Sequence, residues 1–224
     1  MPAPRKLSGL RDVFHSFGHS VVESLLYPPL LPRDIFGYGA GSEISEEPAL
    51  YRRPMSDQEW RQVLLMLRER VSVLDKEKLG ALVHHSEERL RWLDAAMARY
   101  CEATCPSCED PCCHGRQVFY NRTDLLWLLA LGREWPPGQT RQLSREPCRY
   151  LLRDGCGLSR ALRPYVCVWF LCDAQMGLLR EEPAIFQRHF VRILEEMRML
   201  RLRLESLYRH HSRAEDDLAA PHGP

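Results

Sequence analysis

The chain has 224 residues, 45% hydrophobic and 27% charged, the composition of a soluble globular protein with room for one domain or two small ones. Its formal net charge of +1 supplies no global attraction to nucleic acid or to an anionic membrane. Basic residues at Arg5, Lys6 and Arg11 are followed by no continuous apolar run, because Glu23, Ser24, Pro28 and Pro29 interrupt Val21–Leu31, so neither a signal peptide nor a membrane-spanning helix is expected.

Residues 1–55 read as an N-terminal arm lying like a strap over the body of the protein. Within it Ser8–Leu26 predicts an amphipathic helix, and prolines and glycines make loops of Tyr27–Pro32 and Gly37–Ser42. Residues 56–100 predict a helical hairpin. Ser56 and Glu59 have capping-box spacing, and Trp60, Leu64, Leu67, Val71 and Leu74 follow at alternating steps of four and three. Asp75 can cap a second helix whose inward stripe is Leu79, Val83, Ser86, Leu90, Leu93, Met97 and Tyr100, with Ser86 its one polar member. So short a link predicts antiparallel neighbours.

Residues 101–175 are loop-rich. One short helix is expected there, opened by Thr123 and Asp124 and filled by Leu125–Leu131, and a short strand at Gln117–Tyr120. No strand–helix alternation supports a doubly wound sheet. Residues 176–211 predict a long C-terminal helix with Pro183 at its first position and a stripe of Phe186, Phe190, Ile193, Met197, Leu200, Leu204 and Leu207. That stripe is expected to pack on the hairpin, with a dimer through this helix as the alternative. Residues 212–224 read as a disordered tail. The expected fold is mainly α: a hairpin and a long C-terminal helix around a loop-rich, metal-stabilised cysteine domain with little β structure.

Eight of the nine cysteines fall between Cys105 and Cys172, in two groups of four. The first is Cys105, Cys108, Cys112 and Cys113; the second is Cys148, Cys156, Cys167 and Cys172. Thiolates are soft ligands that select zinc, copper(I) or iron–sulfur centres. A C-x2-C pair suits metal because the two intervening residues let the chain turn and aim both sulfurs at one point. The odd total suits metal binding better than full disulfide pairing, and the thiols are read as reduced, in a cytoplasmic protein. Cys101, upstream, reads as a buried cysteine at a helix end. His114 reads as a supporting or surface group. Trp169 and Phe170 read as a hydrophobic shell around the metal, and Trp127 and Trp135 as packing for the small domain.

The order of these elements resembles the YkgJ-type cysteine-cluster family, described by a zinc- or iron-chelating CxxCxxCC domain. Cys105, Cys108, Cys112 and Cys113 match its opening cluster, although Glu109, Asp110 and Pro111 make a spacer of three where the family name has two. Cys148 with Leu151, then Cys156, then Arg163-Pro164 with Cys167 match the later elements. The resemblance covers about a third of the chain and implies metal chelation without a biological role.

Eight thiols suffice for two closed tetrahedral sites, or for one four-iron cluster with four thiols remaining. Adjacent Cys112 and Cys113 point in different directions, so they serve two metals or one of them is no ligand. Cys105, Cys108, Cys113, Cys156 and Cys167 lead the candidate set, and all eight are taken as metal ligands. Nine arginines and no lysine between Cys112 and Val168, against Asp124, Glu134, Glu146 and Asp154, would offset thiolate charge.

Other chemistries fit less well. Cys101-x3-Cys105-x2-Cys108 has the spacing of radical S-adenosylmethionine enzymes but follows a helix, has Ser107 where an aromatic is usual, and precedes no strand–helix barrel. Cys105-Pro-Ser-Cys108 resembles a thioredoxin-type motif without its flanking strand and helix. Gly37-Tyr-Gly39-Ala-Gly41 lacks the helix and lysine of a phosphate loop, and His84-His85 sits on a charged, solvated face. No base, nucleophile or cofactor loop accompanies the cluster, so a binding or structural role is expected rather than catalysis. An iron–sulfur electron carrier, or a zinc-dependent module for nucleic acid or an acidic partner, is the alternative.

Overall fold

A computed structural model describes residues 51–115 and 118–219, with side chains up to residue 211. The helix and loops expected between residues 8 and 42 lie outside these. Ser56 opens α1 (Asp57–Ser72): its Oγ accepts from the Glu59 amide at 3.2 Å, while the Glu59 carboxylate turns to Arg53 instead of closing the box. Trp60, Leu64, Leu67, Val71 and Leu74 are buried, as their spacing predicts. Asp75 accepts from the Glu77 and Lys78 amides at 3.1 and 3.0 Å and opens α2 (Lys76–Thr104). Its buried side is Ser86, Leu90, Leu93, Ala96, Met97 and Tyr100. The helix runs one turn beyond Tyr100, so Cys101 rides on its end.

A 3-10 turn (Cys105–Ser107) and a single-turn helix, α3 (Cys112–Gly115), lead to α4 (Arg122–Ala130). The start of α4 lies upstream of the expected Thr123. Asn121 Oδ1 accepts from the Asp124 amide and the Asp124 carboxylate accepts from the Asn121 amide, both at 2.9 Å. Leu125 to Leu129, with Trp127 among them, are all buried. A helix apolar on every side is stable only when enclosed, and α4 packs on α1, α2 and α7. Consequently α1 packs chiefly on α4, and the hairpin's two arms share this third helix instead of closing on each other alone.

The predicted strand does not form at Val118–Tyr120; Gln117 lies outside the described residues. Side chains stand in for a partner strand. Gln139 Oε1 accepts from the Tyr120 amide at 2.8 Å, Gln139 Nε2 donates to the Tyr120 carbonyl at 3.3 Å, and Thr140 Oγ1 donates to the Val118 carbonyl. The described strands are instead β1 (Leu151–Leu152) and β2 (Gly155–Cys156), antiparallel, with Leu151 opposite Cys156. A second 3-10 turn, Arg160–Leu162, precedes α5 (Tyr165–Trp169).

The helix expected over 176–211 is two helices, α6 (Asp173–Glu181) and α7 (Ala184–Ala219). Pro183 disfavours helical backbone at the residue before it, and Glu182 is extended at φ −70°, ψ 153°. Pro183 therefore precedes α7 rather than occupying its first position, and its carbonyl accepts from the Phe186 and Gln187 amides. The helix continues to Ala219, through the first part of the segment expected to be a disordered tail. Phe190, Ile193, Met197, Leu200 and Leu204 of the stripe are buried, joined by Leu194 and Tyr208, against α2 and α4. Among the described residues no helix is long and apolar enough to cross a membrane.

A polar network fastens α4 to α7 and α5. Asp124 Oδ1 accepts from the Tyr165 amide at 3.0 Å and from Arg201 at 2.6 Å, and Arg201 lies over the Tyr165 ring at 4.4 Å. Glu205 accepts from Arg122 and, at 2.7 Å, from Thr123 Oγ1. Burial pushes the Glu205 carboxyl up, but the Arg122 and Thr123 hydrogen bonds outweigh it and leave it below its usual value. Its contribution to stability is therefore complete above the unfolded value of about 4.3 and is lost as pH falls through the lower folded value. We expect Glu205→Gln to cost about 1.5–3 kcal/mol at pH 7, as for hydrogen bonds to charged groups. Unfolding curves across pH 3–7 should show the difference from the parent protein shrinking at the acid end. A constant difference would contradict the assignment.

Candidate metal centre

All nine cysteines line one cavity of about 790 Å³. Three stretches of chain bring them there. The first is the end of α2. Cys101 lies on its last turn, and Cys105 follows at the start of the 3-10 turn, whose closing bond runs from the Cys108 amide to the Cys105 carbonyl at 3.2 Å. This is the turn that the C-x2-C spacing calls for. Pro111 then starts α3, which carries Cys112 and Cys113, the His114 amide donating to the Pro111 carbonyl at 2.8 Å.

The second stretch is the hairpin. The Cys148 amide donates to the Cys113 carbonyl at 3.1 Å, which ties the second cysteine group to the first. The turn at Arg153 and Asp154 delivers Cys156, and Gly155 makes that turn with φ +120°, a conformation side-chain-bearing residues avoid. The third stretch explains the R-P-x-x-C element. Arg163 Nε reaches back to the Leu158 carbonyl at 2.9 Å, and Pro164 opens α5, its carbonyl accepting from the Cys167 amide at 2.8 Å. Cys172 stands at the start of α6.

Among the described residues no disulfide joins these cysteines; Cys108 and Cys112 are exposed and the other seven are half-buried. Among the described residues no three cysteine, histidine, aspartate or glutamate side chains stand close enough to hold one ion between them. The thiols sense one another nonetheless. Burial and neighbouring Cys101 push Cys105 up to about 11. The hydrogen bond with Cys112, followed by burial, drives Cys113 far above the thiol range. Burial raises Cys148, and burial together with Cys156 and Cys148 pushes Cys167 up to about 12. Thiolates are thus disfavoured unless positive charge joins them, which is what a bound cation supplies.

Buried polar groups surround the cavity. Arg141, 1% exposed, donates through Nη2 to the Cys113 carbonyl at 2.9 Å and through Nε to the Glu146 carbonyl, yet its Nη1 has no partner. Arg160, 3% exposed, pairs through Nε with Asp94 at 2.9 Å, and its Nη1 is also without a partner. A buried donor left without a partner can be satisfied by an ordered water or a bound ion. Two cationic donors beside soft thiols fit an anionic metal–thiolate centre. Gln175, also buried, donates through Nε2 toward Cys101 Sγ at 3.5 Å, Thr104 Oγ1 at 3.3 Å and Cys105 Sγ at 3.9 Å, while its Oε1 accepts from the Cys172 amide at 3.4 Å.

The cavity therefore gathers the eight candidate residues, and adds Cys101, which spacing alone set aside. Gln175 and the two arginines were not among the candidates. Gln175 stands three residues after Cys172, capping-box spacing with a thiol in the hydroxyl's place, and the arginines belong to the local arginine excess. Much of that excess is used internally: Arg122, Arg133, Arg149 and Arg160 pair with Glu205, Glu87, Asp57 and Asp94. His114 is exposed, and His84 and His85 lie on the surface beside Glu88. Phe170 lines the cavity, and Trp127 is buried with Nε1 on the Ala161 carbonyl at 2.9 Å.

No family model matches the chain, and neither do the curated proteins or the solved structures. The likeness to cysteine-cluster proteins rests on the motif order alone.

Arg141→Lys removes the forked contact that holds the Cys113 and Glu146 carbonyls. The loss should be about 1–3 kcal/mol, the cost of buried carbonyls left unpaired. In urea titrations the midpoint should fall, and alkylation of Cys113 should quicken more than that of Cys167. Equal change at both thiols would mean that Arg141 does not hold this segment specifically.

Proposed function

We propose that this is a cytoplasmic metal-binding protein that chelates zinc or iron through its cysteine-lined cavity. One observation carries the reading: all nine cysteines line the same cavity. Cys105, Cys108, Cys113, Cys148, Cys156, Cys167 and Cys172 are the ligands we favour, with Cys112 beside them. The motif order shared with YkgJ-type cysteine-cluster proteins supports the same reading. Metal supplies cross-links to a segment with little regular structure of its own, since binding free energy becomes folding free energy. A centre closed by four thiolates has no open position for water, so binding or structural support is favoured over catalysis.

An iron–sulfur centre for electron transfer is the second reading, favoured by a cavity of about 790 Å³, far larger than a single ion fills. Colour separates the two readings, because such a centre absorbs visible light and carries acid-labile sulfide while zinc does neither.

Protein purified without oxygen should carry stoichiometric metal by elemental analysis, and Cys156→Ser should lower that content and loosen residues 101–175 to protease. Metal-free protein with nine freely titrating thiols under native conditions would overturn the proposal.

A further inference from the structure

Arg141 lines the cysteine cavity as a buried cation without a counter-charge. It is 1% exposed, and its hydrogen bonds run to neutral acceptors, the carbonyls of Glu146, Cys113 and His114. Its Nη1 is buried with no partner, and among the described residues no carboxylate pairs with it. The thiols do not fill this gap, since no sulfur accepts from that nitrogen. An ordered water can take an N–H, but only a negative group offsets the cost of burying the charge.

The rest of the wall adds positive charge. Arg153, Arg160 and Arg163 line the same cavity, against one carboxylate, Asp110. Arg163 donates to carbonyls, those of Leu158 and Cys156. Arg160 is paired with Asp94 through Nε at 2.9 Å, but that carboxylate is 56% exposed and shares its charge with water. Burial, followed by the nearby charge of Arg163, holds the Arg160 guanidinium below its usual range despite the pair. Between the arginines the wall is apolar, with Met97, Leu151, Leu158, Val166 and Phe170. Its volume of about 790 Å³ suits a small organic molecule better than a lone ion. Apolar walls with a few polar groups select a ligand with an apolar body and a polar head, and guanidinium groups select an oxyanion as that head.

We propose that the cavity binds a small organic oxyanion, a carboxylate or a phosphate monoester. One of its oxygens accepts from Arg141 Nη1, its charge is supported by the neighbouring arginines, and its hydrocarbon part lies against the apolar wall. The site goes beyond the metal-binding reading and does not rest on it, because the anion is held through guanidinium nitrogen and not through sulfur.

The test is isothermal titration calorimetry of the full chain purified without oxygen, with octanoate, octyl phosphate and neutral octanol as probes. At least one of the two anions should bind with unit stoichiometry, the tighter one naming the head group, and octanol should bind about tenfold more weakly or worse. Arg141→Gln should weaken the anion about 10–100-fold, the effect of losing a hydrogen bond to a charged group. Arg133→Gln, at the exposed pair with Glu87, should leave it unchanged. Because Arg141 also braces the Cys113 segment, a second reading uses the parent protein alone: saturating anion should shift the guanidinium NMR signals of Arg141 and leave those of Arg133 in place. No binding of either anion, octanol binding as tightly as both, undiminished affinity in Arg141→Gln, or an unmoved Arg141 signal with the anion bound would each overturn the proposal. Elemental analysis of the same sample tests the metal reading separately, so either reading can fail alone.

Discussion

One buried carboxylate ties the scaffold to the cysteine segment. Asp124 caps α4 through Asn121, accepts the amide that starts α5 and takes the guanidinium of Arg201 from α7. Removing one partner from a buried ion pair leaves an uncompensated charge, so such a group enforces its arrangement more than it adds net stability. Three elements distant in sequence are brought to one point, and one of them presents Cys167. The same end of α4 carries Arg122 and Thr123, which bind Glu205. The leucine-rich body of α4 supplies burial, and its polar first turn supplies orientation.

The cysteine segment is built on a different principle. It has two two-residue strands and short helical turns, and side chains supplement the backbone hydrogen bonds of its loops. Gln139 serves Tyr120 and Tyr51, Arg141 serves Cys113 and Glu146, and Tyr150 OH reaches the Gly138 carbonyl at 2.5 Å. Buried polar networks of this type specify one arrangement when fully satisfied. Arg141 and Arg160, each with one guanidinium nitrogen left without a partner, line the cysteine cavity.

The helices were legible because their burial repeats at helical spacing: Trp60 to Leu74, Leu90 to Tyr100 and Phe190 to Leu204 are core, as the steps of four and three require. α4 was legible as a helix but not as the hub, since a helix apolar on all sides has no stripe to indicate its neighbours. The strand expected before Tyr120 failed because a short apolar run does not reveal whether its hydrogen bonds go to a strand or to side chains such as Gln139. The break at Glu182 was visible in Pro183, yet the apolar pattern on both sides disguised it. For the site, the cysteine types and order were plain. The inward position of Cys101 depended on α2 running one turn further, and the role of Gln175 on a fold-back from α6 to α2 that no local pattern encodes.

The placement of α7 bears on the order in which the molecule can assemble. Arg122 meets Glu205 across 83 residues, Asp124 meets Arg201 across 77, and Arg70 meets Tyr208 across 138. Contacts so far apart in sequence form late, after the entropy of closing long loops has been overcome. During synthesis α4 emerges long before the helix that covers it. Until residue 208 is available, Leu125–Leu129 have no complete housing and the cysteine loops have no fixed frame. The cysteine segment thus precedes α7 in the nascent chain, and the scaffold that frames its loops is complete only once α7 packs on α2 and α4.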